Sequence, residues 1–177
     1  MRYAYLKENS DTYYPVSRYF GRCADYIGGV ADMLCKEFPS PESAIYIVVR
    51  GTSGCILAGA VSYILKRRHR EVYIIVSRKS QQTHGYNMDG IGRYDSEKDI
   101  LVVLDDFISS GDTIKRIVKD IQDSLSSPYH LNALCVSTPL GEGMHYYNAY
   151  QINEIIGMFD VVICNKYINR GTVDGNL

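Results

Sequence analysis

The chain has 177 residues, a formal net charge of −1 at pH 7, 46% hydrophobic residues and 22% charged residues. These values are ordinary for a globular protein, and the length predicts a single domain over residues 1–177. The balanced charge gives no reason to expect nucleic acid as a partner, and no apolar run approaches the roughly 20 residues of a membrane helix.

The chain begins with an irregular, tyrosine-rich stretch over residues 1–20. Apolar side chains at helical spacing then predict a helix over residues 23–38. A continuous run of β-branched and aromatic residues predicts a buried strand over 44–49. A glycine turn follows, and the nearly all-apolar stretch 55–65 predicts a helix that packs deep in the core.

A second buried strand is predicted over residues 72–76. The next segment, 77–98, is polar and without periodicity, and a segment of this length inside a domain is usually functional or mobile. The third strand is predicted over Ile100–Leu104. After Thr113, apolar residues recur at i, i+3, i+4 and i+7 with charged residues opposite, which predicts an amphipathic helix.

The last predicted elements are a strand over 133–136, a helix over 148–159 and a strand over 161–164. Apolar strands that alternate with helices indicate an α/β fold with a mostly parallel sheet flanked by helices. We expect the core of this fold to span residues 44–164. In such sheets, ligands bind where the strands end.

Five cysteines stand at positions 23, 35, 55, 135 and 164. Their number is odd and no two have CxxC spacing, which argues against a disulfide framework or a zinc site. The first residues also lack the apolar core of a secretory signal. We therefore expect reduced thiols in a cytoplasmic protein.

The segment after the third strand carries the most specific pattern. Asp105 and Asp106 leave the strand together, where carboxylates can accept hydrogen bonds from vicinal sugar hydroxyls or order waters around a hard cation. After two apolar residues, a small polar string opens the helix: Ser109, Ser110, Gly111, Asp112 and Thr113. Its amides and hydroxyls suit a phosphate. The alternative interpretation is a strand followed by an ordinary capped helix.

This string of four apolar residues, two acids, two apolar residues and a small polar stretch resembles the phosphoribosyl pyrophosphate (PRPP) motif of type I phosphoribosyltransferases. The resemblance implies that Asp105 and Asp106 hold the ribose hydroxyls and are among the catalytic residues. It implies that Ser109–Thr113 hold the monophosphate. It also implies Mg²⁺ as cofactor, bound indirectly by both aspartates through water and PRPP, and a homodimer.

Two further segments resemble this family. The string Arg50, Gly51, Thr52, Ser53 and Gly54 is similar to its pyrophosphate loop, which implies that the first four of these residues bind the diphosphate. The string from Arg78 to Gly85 resembles the flexible loop of orotate phosphoribosyltransferases. That implies catalytic roles for Lys79 and His84, while Gln82 stands where those enzymes carry a second lysine.

For the base, the resemblance implies an N-terminal hood, which together with the first helix covers residues 1–40. Lys7, Tyr13 and Tyr14 resemble base-binding residues of the orotate enzymes, and Ser109 replaces the catalytic aspartate of 6-oxopurine enzymes. The implied activity is phosphoribosyl transfer from PRPP to a base, with orotate favoured and an adenine-type base as the other choice. Two alternatives remain: an inactive PRPP- or nucleotide-sensing regulator, and an interaction protein that only shares the scaffold.

Overall fold

The structure, a computed structural model, describes residues 1–6, 23–78, 88, 90–108, 110–137 and 149–165. The strands in these residues are β1 (Arg2–Tyr5), β2 (Ile45–Arg50), β3 (Val72–Ser77), β4 (Ile100–Leu104), β5 (Ala133–Cys135) and β6 (Val161–Cys164). The helices are α1 (Ala24–Glu37), α2 (Gly51–Arg67), α3 (Asp112–Ser124) and α4 (Ala149–Ile156). The strands form one sheet in the order β1-β6-β5-β4-β2-β3, with every neighbouring pair parallel.

The sheet is the middle layer of three. In β2, Ile45, Ile47 and Val49 belong to the apolar cluster that contains α1 and α2. Tyr46 and Val48 belong to the other cluster, together with buried apolar residues of α3 and α4. A strand that is buried on both faces has to be apolar throughout, which is why β2 and β4 read as continuous apolar runs. The strand predicted over residues 72–76 was also expected to be buried, and here the prediction is wrong: β3 lies at the edge of the sheet, where Ile74 and Val76 are exposed. The predicted α/β fold with a parallel sheet flanked by helices is confirmed.

The N-terminal edge of the sheet differs from the prediction. Residues 1–20 were expected to be irregular, but Arg2–Tyr5 form β1, which pairs with β6. The amide of Leu6 continues this pairing by donating to the carbonyl of Cys164 at 2.9 Å. The prediction is wrong here because the partner strand lies at the far end of the sequence, where local patterns give no sign of it. The division into a hood over 1–40 and a core over 44–164 stays a prediction.

The start of α2 also differs from the prediction. The helix begins at Gly51 rather than at residue 55, so the expected glycine turn is its first turn. Arg50 has extended backbone angles and Gly51 has a φ of 78°, a left-handed value that favours glycine. The small polar residues of this turn interrupt the apolar pattern, which explains the later predicted start.

Part of the long segment 77–98 packs against the core. Met88 forms an antiparallel bridge with Ser77, and a short 3₁₀ helix covers Ile91–Arg93. Met88, Ile91 and Tyr94 are buried in the same cluster as α3. The described part of this segment therefore has structure of its own, although the sequence shows no periodicity there.

The cysteines and the described helices bear on the reduced thiols and the lack of a membrane helix expected from the sequence. No disulfide joins the five cysteines, all of which lie in described residues. Burial raises the pKa of the Cys164 thiol to about 12, so this thiol remains protonated. Its side chain packs in the apolar cluster that contains residues of α3 and α4. None of the described helices combines the length and apolar character needed to cross a membrane.

Candidate active site

The candidate site lies where the strand order reverses. The chain runs outward from β2 to β3, returns to the other side of β2 as β4, and continues through β5 and β6. In open α/β sheets, the carboxyl ends of the two strands at such a reversal leave a crevice for a ligand. The segments that follow β2 and β4 are those singled out from the sequence.

These segments line one cavity of about 320 Å³. Its walls contain Arg50, Gly51, Thr52, Ser53, Asp105, Asp106, Phe107, Ile108, Ser110, Gly111, Asp112, Thr113 and Ile114. The N-termini of α2 and α3 both reach this cavity, and neither begins with a side-chain cap from its N-cap residue. Unpaired amides and the helix dipole make each N-terminus favourable for an anion.

The two carboxylates lie between these helix N-termini in sequence and are largely buried. Asp105 is 7% exposed and Asp106 is 6% exposed. Each accepts a hydrogen bond from the next backbone amide: Asp106 N to Asp105 Oδ1 at 2.9 Å, and Phe107 N to Asp106 Oδ1 at 3.0 Å. Burial, and then the neighbouring Asp106, raise the pKa of Asp105 well above its usual range.

The backbone of this acidic pair is held from two sides. The hydroxyl of Tyr26, a fully buried residue of α1, donates to the Asp105 carbonyl at 3.0 Å. The Asp106 carbonyl accepts from both the amide and the hydroxyl of Ser137. Sequence reasoning missed both anchors, since Tyr26 belongs to the apolar stripe of its helix and Ser137 simply follows a strand. Their effect is to fix the two carboxylates side by side.

The start of α3 depends on a glycine. Gly111 has a φ of 82°, and a Cβ at this position would lie 2.5 Å from Cδ1 of Ile155. The hydroxyl of Ser110 donates to Asp112 Oδ2 at 2.8 Å and accepts from the Asp112 amide at 3.3 Å. Local capping is therefore present, as the alternative interpretation requires, but it reaches only the first amide of the helix.

Arg50 brings positive charge to the cavity. Among the described residues that line it, Arg50 is the only cation. Its Nη1 donates to the hydroxyl of Ser77 and to a carboxylate oxygen of Asp120. Sequence reasoning missed Asp120, although it stands out as an acid beside Ile117 and Ile121 on the apolar stripe of α3.

The structure thus brings together the candidate residues that follow β2 and β4. The remaining ones lie outside the described residues, so their roles stay predictions: Lys7, Tyr13, Tyr14, Lys79, His84 and Ser109.

A Mg²⁺ ion in the cavity would need oxygen donors from the residues around it. The described residues contain no group of three or more His, Cys, Asp or Glu side chains able to hold a metal ion. Asp105 and Asp106 offer hard carboxylate oxygens in the cavity, which suits an ion that keeps most of its waters and arrives with phosphate oxygens. The site fits Mg²⁺ held indirectly, through water and ligand.

Comparison with known proteins agrees with this architecture. No family model matches the chain, and no curated protein matches it by sequence. Among solved structures, adenine phosphoribosyltransferase from Saccharomyces cerevisiae superposes with a TM-score of 0.53 at 13% identity, over 85% of this chain and 82% of that one. The chain has the type I phosphoribosyltransferase fold. A second adenine phosphoribosyltransferase structure shares this fold with a TM-score of 0.55 at 13% identity, over 85% of this chain and 83% of the other.

Proposed function

We propose that this protein transfers a phosphoribosyl group from PRPP to a nitrogenous base and releases pyrophosphate. One observation carries the proposal: a single cavity joins two helix N-termini and a fixed pair of carboxylates. The helix N-termini favour anions, and the carboxylates favour hydroxyl donors. PRPP carries a phosphate and a diphosphate on either side of two ribose hydroxyls, so its groups match these three parts.

Each part has one task in this assignment. Asp105 and Asp106 accept hydrogen bonds from the ribose hydroxyls. The start of α3, with Ser109 to Thr113, binds the monophosphate. The start of α2, with Arg50 and Gly51 to Ser53, binds the diphosphate. Mg²⁺, when bound through water and PRPP near the two aspartates, supplies positive charge to the diphosphate.

The reaction breaks the bond between the ribose and the diphosphate while a base nitrogen forms the new bond. Positive charge develops on the ribose and negative charge on the leaving pyrophosphate, so the protein contributes mainly positioning and electrostatic stabilisation. Arg50 and the amides of α2 stabilise the leaving group. Lys79 and His84 are proposed to cover it and exclude water.

The acceptor base is the open part of the proposal. The two solved structures compared above are adenine phosphoribosyltransferases, while the string from Arg78 to Gly85 resembles the flexible loop of the orotate enzymes. Lys7, Tyr13, Tyr14 and Ser109 are the residues proposed to contact the base. Adenine and orotate are therefore the first acceptors to assay, followed by uracil, hypoxanthine, guanine, xanthine and nicotinate.

The decisive experiment measures pyrophosphate release from PRPP and Mg²⁺ with each base, alongside calorimetric PRPP binding. Asp105→Asn combined with Asp106→Asn removes two charged acceptors and should weaken PRPP binding by about 100-fold or more. Asp123→Asn, an exposed residue of α3, is the matched control and should bind as the wild type does. Unchanged PRPP binding in the double variant would refute the site assignment.

A regulator on the same fold is the second candidate, favoured by Gln82 at the position of the expected lysine. It predicts PRPP binding without pyrophosphate release for any base, and the same two assays separate it from the enzyme. Absence of PRPP binding in the wild type would leave only an interaction protein. A homodimer in the cytoplasm completes the proposal, and light scattering at several concentrations tests the dimer.

A further inference from the structure

A second cluster of charged side chains lies beside the cavity, between β2, β3 and α3. Arg50 Nη1 donates to Ser77 Oγ at 2.6 Å and to Asp120 Oδ2 at 3.0 Å. Ser77 Oγ in turn donates to the same Asp120 oxygen at 2.6 Å. The other oxygen of Asp120 pairs with Arg116 Nε at 3.2 Å. One carboxylate therefore connects two arginines and a serine.

The register of the sheet explains how the cluster forms. Arg50 and Ser77 are paired residues at the ends of β2 and β3. Both side chains reach Asp120 on α3 and so lie on the same face of the sheet. The Asp120 side chain is 2% exposed and that of Arg50 is 11% exposed, whereas that of Arg116 is 47% exposed. The contact between Arg50 and Asp120 is thus removed from most of the solvent, where electrostatic interactions are strong.

The charges of the cluster do not cancel. An arginine paired with one aspartate presents no net charge to an anion, but a second arginine on the same aspartate leaves one positive charge over. The contacts to Ser77 and Asp120 use only Nη1 of Arg50. The guanidinium carries further donors on Nε and Nη2, in a planar arrangement that matches phosphate oxygens.

We propose that Asp120 is a positioning residue of the diphosphate site, which orients Arg50 through Nη1 so that the remaining guanidinium donors bind the diphosphate of PRPP. This inference rests on the proposed function. Ser77 supports the same orientation, and Arg116 keeps the cluster positively charged. A flexible arginine would have to lose side-chain freedom when the ligand binds, and an arginine already held in place loses less.

The test is a double-mutant cycle on PRPP binding, measured by calorimetry with Mg²⁺ present. Asp120→Asn should weaken PRPP binding by about tenfold. A loss of this size lies within the range of coupling energies measured between residues in direct contact. In an Arg50→Met background the same substitution should change the affinity by less than about twofold, because the group that it orients is gone. Asp123→Asn, on an exposed position of the same helix, is the control for the loss of one negative charge.

Two results would overturn the inference. The first is an Asp120→Asn variant that binds PRPP with wild-type affinity but has a lower melting temperature, which would make the cluster a purely structural connection between α3 and the sheet. The second is an equal loss of PRPP affinity on Asp120→Asn substitution with and without Arg50, which would exclude action through the arginine. If Asp120→Asn does not fold, Ser77→Ala is the substitute, since it removes one of the two contacts of Nη1 and keeps the ion pair.

The binding assays distinguish a failure of the proposed function from a failure of this inference. Wild-type protein that does not bind PRPP contradicts the proposed function, and the inference about Asp120 then falls with it. If the wild type binds PRPP and Asp120→Asn binds it with the same affinity, only the inference about Asp120 is contradicted. Arg116→Gln gives an independent reading, since loss of the excess positive charge should weaken binding by about threefold, with a smaller effect at high salt.

Discussion

Substitution of Gly111 by alanine tests whether the start of α3 is built on a glycine for two separate reasons. The residue has a φ of 82°, where a residue with a Cβ costs about 1 kcal/mol or more. Its added Cβ would lie 2.5 Å from Cδ1 of Ile155, which is 1% exposed and has little room to move. Overpacking of this kind costs about 1–3 kcal/mol. Gly111→Ala should therefore lower the free energy of unfolding by about 2–4 kcal/mol.

The two causes can be separated by a second substitution. Ile155→Val removes Cδ1, and the next atom of that side chain, Cγ1, is 4.0 Å from the added Cβ, an ordinary contact. The double variant should therefore recover about 1–2 kcal/mol relative to the sum of the single effects. What remains is the cost of the left-handed backbone, which no change at residue 155 can remove.

Urea unfolding of the four proteins in this cycle gives the required free energies. Gly59→Ala is the matched control, because Gly59 is exposed inside α2 and has nothing within 4 Å of an added Cβ. It should raise the free energy of unfolding by about 0.5–1 kcal/mol, since alanine is the better helix former. Additive effects of Gly111→Ala and Ile155→Val would refute the argument about the close contact, and an unchanged stability of Gly111→Ala would refute both parts.

Three further substitutions follow from the described contacts. The raised pKa of Asp105 means that the folded chain holds more protons than the unfolded chain between the usual and the raised pKa, so stability falls as the pH rises through that window. Asp105→Asn should flatten this dependence in urea unfolding series from acidic to neutral pH and raise stability at neutral pH, while PRPP binding is weakened. An unchanged dependence of stability on pH would contradict the raised pKa of Asp105. Tyr26→Phe removes the buried donor to the Asp105 carbonyl and should cost about 1–2 kcal/mol by urea unfolding, whereas the same change at the exposed Tyr63 should cost nothing measurable. Arg70→Met removes a buried guanidinium that donates to two carbonyls of the loop before β2, at 2.6 and 3.3 Å. It should cost about 2–3 kcal/mol and leave PRPP affinity unchanged, because that loop lies at the opposite end of the strands; a weakened affinity would show that the two ends are coupled.

The parts of the fold that could be predicted from the sequence are those encoded in neighbouring residues. The buried strand Ile100–Leu104, the acidic pair after it and the helix that begins near Thr113 are all visible as local patterns, and the structure has each of them in place. The closeness of the acidic pair to the segment after β2 could be predicted too, because parallel strands end at the same edge of a sheet.

The parts that could not be predicted depend on contacts between distant residues. β1 is a strand because β6 lies beside it. Its four residues contain a single buried side chain, Ala4, so the local sequence gives little indication of a strand. Tyr26 supports Asp105 across 79 positions of sequence, and Arg50 meets Asp120 across 70. Nothing in the spacing of these side chains indicates such pairs. The sequence predicts the position of a candidate ligand site, and the tertiary structure decides which distant side chains support it.

The arrangement of charges also limits which ligands the cavity can accept. A nucleotide triphosphate presents its negative charges in one continuous run, which would bring some of them against Asp105 and Asp106. A metal ion alone would leave the two helix N-termini without an anion, and the described residues supply too few ligands for it. A ligand that separates two anionic ends by hydroxyl groups satisfies all three parts at once, because hydroxyls donate to the carboxylates while each end lies at a helix N-terminus. Under the proposed function the cavity therefore selects a sugar phosphorylated at both ends. A non-sugar bisphosphate of similar length should bind far more weakly, since nothing in it donates to the acidic pair.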